Sequence, residues 1–96
     1  MNGYDYDGVL SVGVKPDTPF VVISGRTWEE DLPFFDGAEA IAIRGVGRYG
    51  DWEHAARFKA EMIRLWEVTK FYEDDPGQVE IIRSLVTNCE VLHVTW

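Results

Sequence analysis

Three short segments of this chain combine residue types that can do chemistry together. They are Asp5-Tyr6-Asp7-Gly8, Ser24-Gly25-Arg26-Thr27 and Glu73-Asp74-Asp75-Pro76, with Lys59 between the last two. A carboxylate can attack phosphorus and form an aspartyl-phosphate, which water then hydrolyses. A second carboxyl two residues on can protonate the leaving oxygen and then activate the water. A serine hydroxyl, the N–H groups at the start of a following helix and a lysine can hold the phosphate oxygens, and Lys59 is the candidate lysine. The carboxylates of Asp5, Asp7, Asp74 and Asp75, gathered in one place, could not all stay ionised and unpaired without a large electrostatic penalty. A divalent cation resolves that conflict, and an all-oxygen donor set favours Mg²⁺ over zinc.

These segments are far apart in sequence, so a fold must bring their ends to one rim. The runs Phe20-Val21-Val22-Ile23-Ser24, Ala40-Ile41-Ala42-Ile43, Phe71-Tyr72 and Val91-Leu92-His93-Val94 are short and β-prone, as suits strands buried on both faces. A first strand should end at Asp5, although Asn2 and Gly3 make it a poor one. Helical spacing runs from about Asp51 to Val68, with Asp51 as N-cap and Phe58, Met62, Leu65 and Trp66 on the buried face. A second helix should open at Pro76 and bury Val79, Ile82 and Val86, with Ile81 and Leu85 at its flanks. A short helical turn is expected from Thr27 through the acidic residues Glu29, Glu30 and Asp31. Strands and helices that alternate in this way predict an α/β fold with a mostly parallel sheet covered by helices. Ligands of such sheets bind beyond the carboxyl ends of the strands, which is where the three segments fall.

Taken singly, each segment has an ordinary structural reading. Asp-Gly is turn chemistry, an acidic run before Pro is a helix cap, and Ser-Gly-Arg is a strand-to-helix junction. Their conjunction, in order and with a lysine between, is what points to a site. Lys70 is the rival lysine, but it lies just before the fourth strand, at the end away from the rim.

Asp5-Tyr6-Asp7-Gly8-Val9-Leu10 resembles the first motif of the haloacid dehalogenase (HAD) superfamily, and Ile23-Ser24-Gly25-Arg26 resembles the second. Lys59 stands at a spacing that suits the third-motif lysine, and Asp74-Asp75 resembles the acidic fourth motif. Asp74-Asp75-Pro76-Gly77-Gln78-Val79 is similar to the phosphatase module of phage polynucleotide kinases, and the resemblance covers essentially the whole chain. It implies a three-layer α/β/α Rossmann-like core around a small, mostly parallel sheet of about five strands. It implies a single domain over residues 1–96 with no cap, because neither usual insertion point has room for one. On this resemblance Asp5 is the nucleophile and a metal ligand. Asp7 is the acid/base, and its carbonyl binds Mg²⁺. Ser24, Gly25, Arg26 and Lys59 meet the substrate, Asp74 completes the metal site, and Asp75 is a further metal ligand or supports the ligands. The implied activity is Mg²⁺-dependent phosphomonoester hydrolysis. The implied substrate is a small phosphorylated molecule, a nucleotide or a nucleic-acid end.

Without a cap, such a site would be open, to be covered by a bulky substrate or by a second copy of the chain. The loop from Arg44 to Gly50 could cover part of it, and its arginines could meet an anion. A flap is expected around Val9 to Val14. The short first strand keeps a rival reading alive, that of a non-catalytic HAD-like domain binding a metal or a partner. Charge narrows the partners further. The net charge of −8 disfavours a broad nucleic-acid footprint, which needs clustered Lys and Arg. The excess acid fits either a solvated surface or a cation site. No apolar run approaches the ~20 residues of a membrane span, so no membrane partner is expected. The first residues carry no basic-then-apolar stretch. Cys89, the single cysteine, excludes an intramolecular disulfide, so a cytoplasmic location is expected. His93 and the tryptophans Trp28, Trp52 and Trp66 read as structural, and Trp96 as a candidate subunit contact.

Overall fold

In the computed structural model, residues 1–27, 37–45 and 52–95 are described. The apolar runs form one five-stranded parallel sheet: β1 (Asn2–Tyr4), β2 (Phe20–Thr27), β3 (Ala38–Gly45), β4 (Lys70–Glu73) and β5 (Glu90–His93). Two helices join the later strands, α1 (Trp52–Leu65) between β3 and β4 and α2 (Pro76–Leu85) between β4 and β5. A 3₁₀ turn at Leu10–Val12 lies between β1 and β2. The fold is thus mixed α/β with an all-parallel sheet, and its described strands and two helices come in the order the sequence predicts. The turn expected from Thr27, the N-cap at Asp51, residues 46–50 of the glycine-rich loop, Trp28 and Trp96 lie outside the described residues.

The strand order is β3-β2-β1-β4-β5. Connections from β1 therefore step one way across the sheet, and those from β3 and β4 step the other way. With crossovers of one hand, opposite steps cover opposite faces. The two cores divide accordingly. On one face Val21, Ile23, Phe71 and Val91 pack against Ala56, Ala60 and Ile63 of α1 and Val79 and Ile82 of α2. On the other, Phe20, Val22 and Tyr4 pack against Val9 and Leu10 of the β1–β2 connection. The segment expected as a flap around Val9 to Val14 is instead a wound turn that plugs this second core. Val9 is fully buried and Leu10 is buried.

The first strand has only three residues, yet it is the central one, paired with β2 on one side and β4 on the other. Its glycine has a packing reason. A Cβ at Gly3 would come within 3.0 Å of Val68 and 3.1 Å of Phe71, so a side chain there would have to push these core neighbours aside. Tyr4, one residue on, points to the other face, where it stacks on Tyr72 at 4.5 Å and meets Phe20 edge-on.

Helix α1 turns a different face inward from the one its large apolar residues suggest. Ala56, Lys59, Ala60 and Ile63 are buried, while Phe58, Met62 and Trp66 sit at the margin and Leu65 is 69 % exposed. Alanines let the helix approach the sheet closely, so the bulky residues are displaced to its edges. Helix α2 follows expectation, burying Val79 and Ile82 with Val86 just beyond its end. Among the described residues, no helix is long and apolar enough to cross a membrane.

Candidate active site

Chains leaving the carboxyl ends of neighbouring β1 and β4 diverge, toward β2 and β5 respectively. Such a divergence opens a crevice at the strand ends, the usual ligand site of an open parallel sheet. Register places the acidic residues there. Tyr4 pairs with Tyr72, which brings Asp5 and Glu73 level, and the Asp5 N–H donates to the Tyr72 carbonyl at 3.0 Å. Side chains alternate along a strand. Because Tyr4 and Tyr72 face the 3₁₀ turn, Asp5 and Glu73 fall on the helical face, where α1 presents Lys59.

Asp5 is 4 %, Lys59 3 % and Glu73 1 % exposed. The Lys59 ammonium donates to Glu73 Oε1 and to Gln78 Oε1, both at 2.7 Å, and pairs with Asp5 Oδ2 at 3.4 Å. Asp5 Oδ1 accepts from the Tyr6 N–H at 2.9 Å, and Glu73 Oε2 accepts from the Asp74 N–H at 3.1 Å. Among the described residues, no buried side-chain polar atom lacks a partner. Carboxylate oxygens of Asp5, Glu73 and Asp74 all lie within 4.8 Å of one another. Gly8 has φ 78°, and a Cβ there would overlap the Asp74 carboxylate, so the Asp-x-Asp-Gly turn is pressed against the acidic turn after β4. From the far side, His93 Nε2 lies 2.9 Å from the Asp74 carbonyl, and the Val94 N–H donates to the Glu73 carbonyl.

This cluster holds more carboxylates than ammonium groups, and its proton affinities reflect that. Burial pushes the Asp5 carboxyl well above the ordinary range; Lys59 draws it down, and Glu73 and Asp74 add to the rise. Asp74 is pushed up to about 6, by burial and then by hydrogen bonding to and repulsion from Glu73. Burial works to lower the Lys59 pKa, but Asp5 and Glu73 outweigh it and hold the ammonium above its ordinary value. A hard divalent cation suits this donor set, because it would bind the ionised carboxylates and relieve the excess negative charge.

The remaining residues named from the sequence take other places. Asp7 is exposed and held by Arg26 in a two-point pair, Nε to Oδ2 at 3.0 Å and NH2 to Oδ1 at 2.9 Å. The Arg26 guanidinium lies 5.0 Å over the Tyr6 ring. Ser24 is fully buried, and its Oγ accepts from the Arg26 N–H at 3.1 Å. Gly25 turns its carbonyl to Arg44 Nε at 2.9 Å.

Asp75 lies beside the acidic triple, where its Oδ1 accepts from the Gly77 and Gln78 N–H groups at 2.8 and 3.1 Å and caps α2. One expectation changes. Arg44 belongs to β3 and not to a loop, and it is buried, with NH1 3.2 Å from His54 Nδ1. Glu73 was missed as a site residue, although its parity with Phe71 along β4 marks it as facing the helices. Lys70 is exposed at the opposite end of β4, as expected.

No family model matches this chain, and neither a curated protein nor a solved structure matches it.

Proposed function

We propose that this chain is a cap-less, Mg²⁺-dependent phosphomonoesterase of the HAD type, acting through an aspartyl-phosphate on Asp5. The observation that carries the reading is the placement of Asp5. It is a buried carboxylate at the end of the central strand, paired with a buried lysine and within 4.8 Å of two further acids. The fold implied is the three-layer HAD core, whose second helical layer would fall on the face of the β1–β2 connection.

In this reading Asp5 attacks the phosphorus of a monoester and the leaving oxygen departs with a proton from Asp7. Water activated by Asp7 then hydrolyses the aspartyl-phosphate, returning Asp5 and releasing inorganic phosphate. Lys59 steadies the negative charge that develops on the transferring group. Ser24 and the turn through Gly25 and Arg26 bind phosphate oxygens. Asp5, Asp74 and the Asp7 carbonyl would hold Mg²⁺, with Glu73 beside them, and the cation would supply charge neutralisation for the incoming phosphoryl group. Arg26 holds both Asp7 oxygens, so an anionic substrate must draw the guanidinium aside before Asp7 can move a proton.

The substrate proposed is a nucleotide or the phosphorylated end of a short nucleic acid. The net charge of −8 argues against a long nucleic-acid footprint. The two-point Asp7–Arg26 pair, which occupies the proposed acid/base, favours a second reading: a HAD-like domain that binds a metal or a partner without turnover. Hydrolysis of an aryl phosphate decides between them. Phosphate release with Mg²⁺, abolished by EDTA, supports the enzyme. Mg²⁺ binding by folded protein with no release from aryl or nucleotide phosphates supports the binding domain.

A further inference from the structure

An ammonium has three N–H groups, and those of Lys59 are not used equally. Two short hydrogen bonds of 2.7 Å go to Glu73 Oε1 and Gln78 Oε1, whereas Asp5 Oδ2 stands off at 3.4 Å. Gln78 is 8 % exposed and lies in the first turn of α2, with its own N–H fixed by the Asp75 cap at 3.1 Å. Its side chain is therefore aimed by the start of a helix that is itself packed on the sheet. The amide adds an acceptor without adding charge, in a cluster already overloaded with carboxylates.

We propose that Gln78 is a positioning residue that, together with Glu73, holds the Lys59 ammonium off the Asp5 carboxylate. The inference rests on the reading of Asp5 as a nucleophile. A carboxylate gripped in a short charge-assisted hydrogen bond has its lone pairs stabilised and attacks poorly, while one at longer reach keeps its nucleophilicity. Without Gln78, one N–H of Lys59 loses its acceptor in a site where burial makes that costly, and Asp5 Oδ2, at 3.4 Å, is the partner it can close on. Lys59 would then slide onto the nucleophile it serves. Gln78 would thus set the rate of the chemical step without touching substrate.

Two variants remove the acceptor: Gln78→Met, of equal length, and Gln78→Asn, which keeps an amide too short to reach. Gln78→Glu retains an acceptor at the same reach while adding charge. With an aryl phosphate and Mg²⁺, Gln78→Met and Gln78→Asn should lower kcat roughly tenfold to a hundredfold, the scale of a small misplacement in a catalytic site. Their KM should stay within about twofold, because uniform binding is untouched. Gln78→Glu should restore much of kcat and show its defect in KM, through repulsion of the anionic substrate. Crystal structures of the acceptor-less variants should place Lys59 Nζ closer to Asp5 than in the parent. If Gln78→Met does not fold, Gln78→Asn decides. Folded acceptor-less variants with parental kcat, or with Lys59 unmoved, would overturn the inference while leaving the phosphatase reading intact. A parent protein that releases no phosphate would overturn both together.

Discussion

Lys59 Nζ lies 2.7 Å from Glu73 Oε1, and both side chains are almost wholly withdrawn from water. This pair, formed between the inward stripe of α1 and the inward parity of β4, clamps helix to sheet at the point where Asp5 emerges. Removing one partner of a buried ion pair leaves an uncompensated charge and costs about 3–5 kcal/mol. Lys59→Met should lose stability on that scale in denaturant unfolding at neutral pH. The loss should shrink on acidification, because the stranded Asp5 carboxyl, already raised by burial, can then take up a proton.

Asp74 and Asp75 are neighbours with separate tasks. Asp75 caps α2 through two N–H groups, so Asp75→Ala should cost about 1 kcal/mol. Mg²⁺ affinity, read by calorimetry, should change little in that variant. Asp74→Ala should do the reverse, weakening Mg²⁺ binding severely while folding is preserved.

The sign of the pH effect at Asp74 follows from its raised pKa. The folded protein holds this proton with a pKa of about 6, against an ordinary value of 3.8, so it binds the proton more tightly than the unfolded chain does. The stability linked to this group is complete below about pH 4 and is lost as pH rises through about 6. In EDTA the Tm difference between the parent and Asp74→Asn should therefore shift against the parent across that window. Mg²⁺ binds the ionised form, so it should raise Tm more at about pH 7.5 than at about pH 5, and little in Asp74→Asn.

Gly8 carries both a left-handed φ and contact with Asp74. Gly8→Ala should destabilise by roughly 1–3 kcal/mol and push the Asp74 carboxylate from its place. Mg²⁺ affinity should fall with it. Parental affinity in a folded Gly8→Ala protein would show that the turn does not shape the acidic cluster.

Much of this arrangement can be read from residue order, and what cannot has identifiable physical causes. Asp5, Lys59 and Asp74 were legible because alternating strands and helices must form a parallel sheet, and a parallel sheet gathers its strand ends. The inward face of α1 was not. Size suggests burial of Phe58, Met62, Leu65 and Trp66, while close approach to the sheet selects Ala56 and Ala60 and sends Leu65 to solvent. An acid before Pro-Gly suits a helix cap and a metal equally, and the two N–H contacts of Asp75 show the cap. Glu73 could have been found by counting parity from Phe71. The role of Gln78 could not, since it depends on where the first turn of α2 meets α1.

The proposed role of Asp5 as nucleophile is tested most directly by acid-quenching the protein in the presence of a phosphate monoester and Mg²⁺ and mapping phosphate on its peptides by mass spectrometry. A phosphoryl group on the peptide containing Asp5, absent in EDTA and in Asp5→Asn, is the predicted result. Steady release of phosphate with no phosphorylated peptide, or undiminished release by Asp5→Asn, would contradict it.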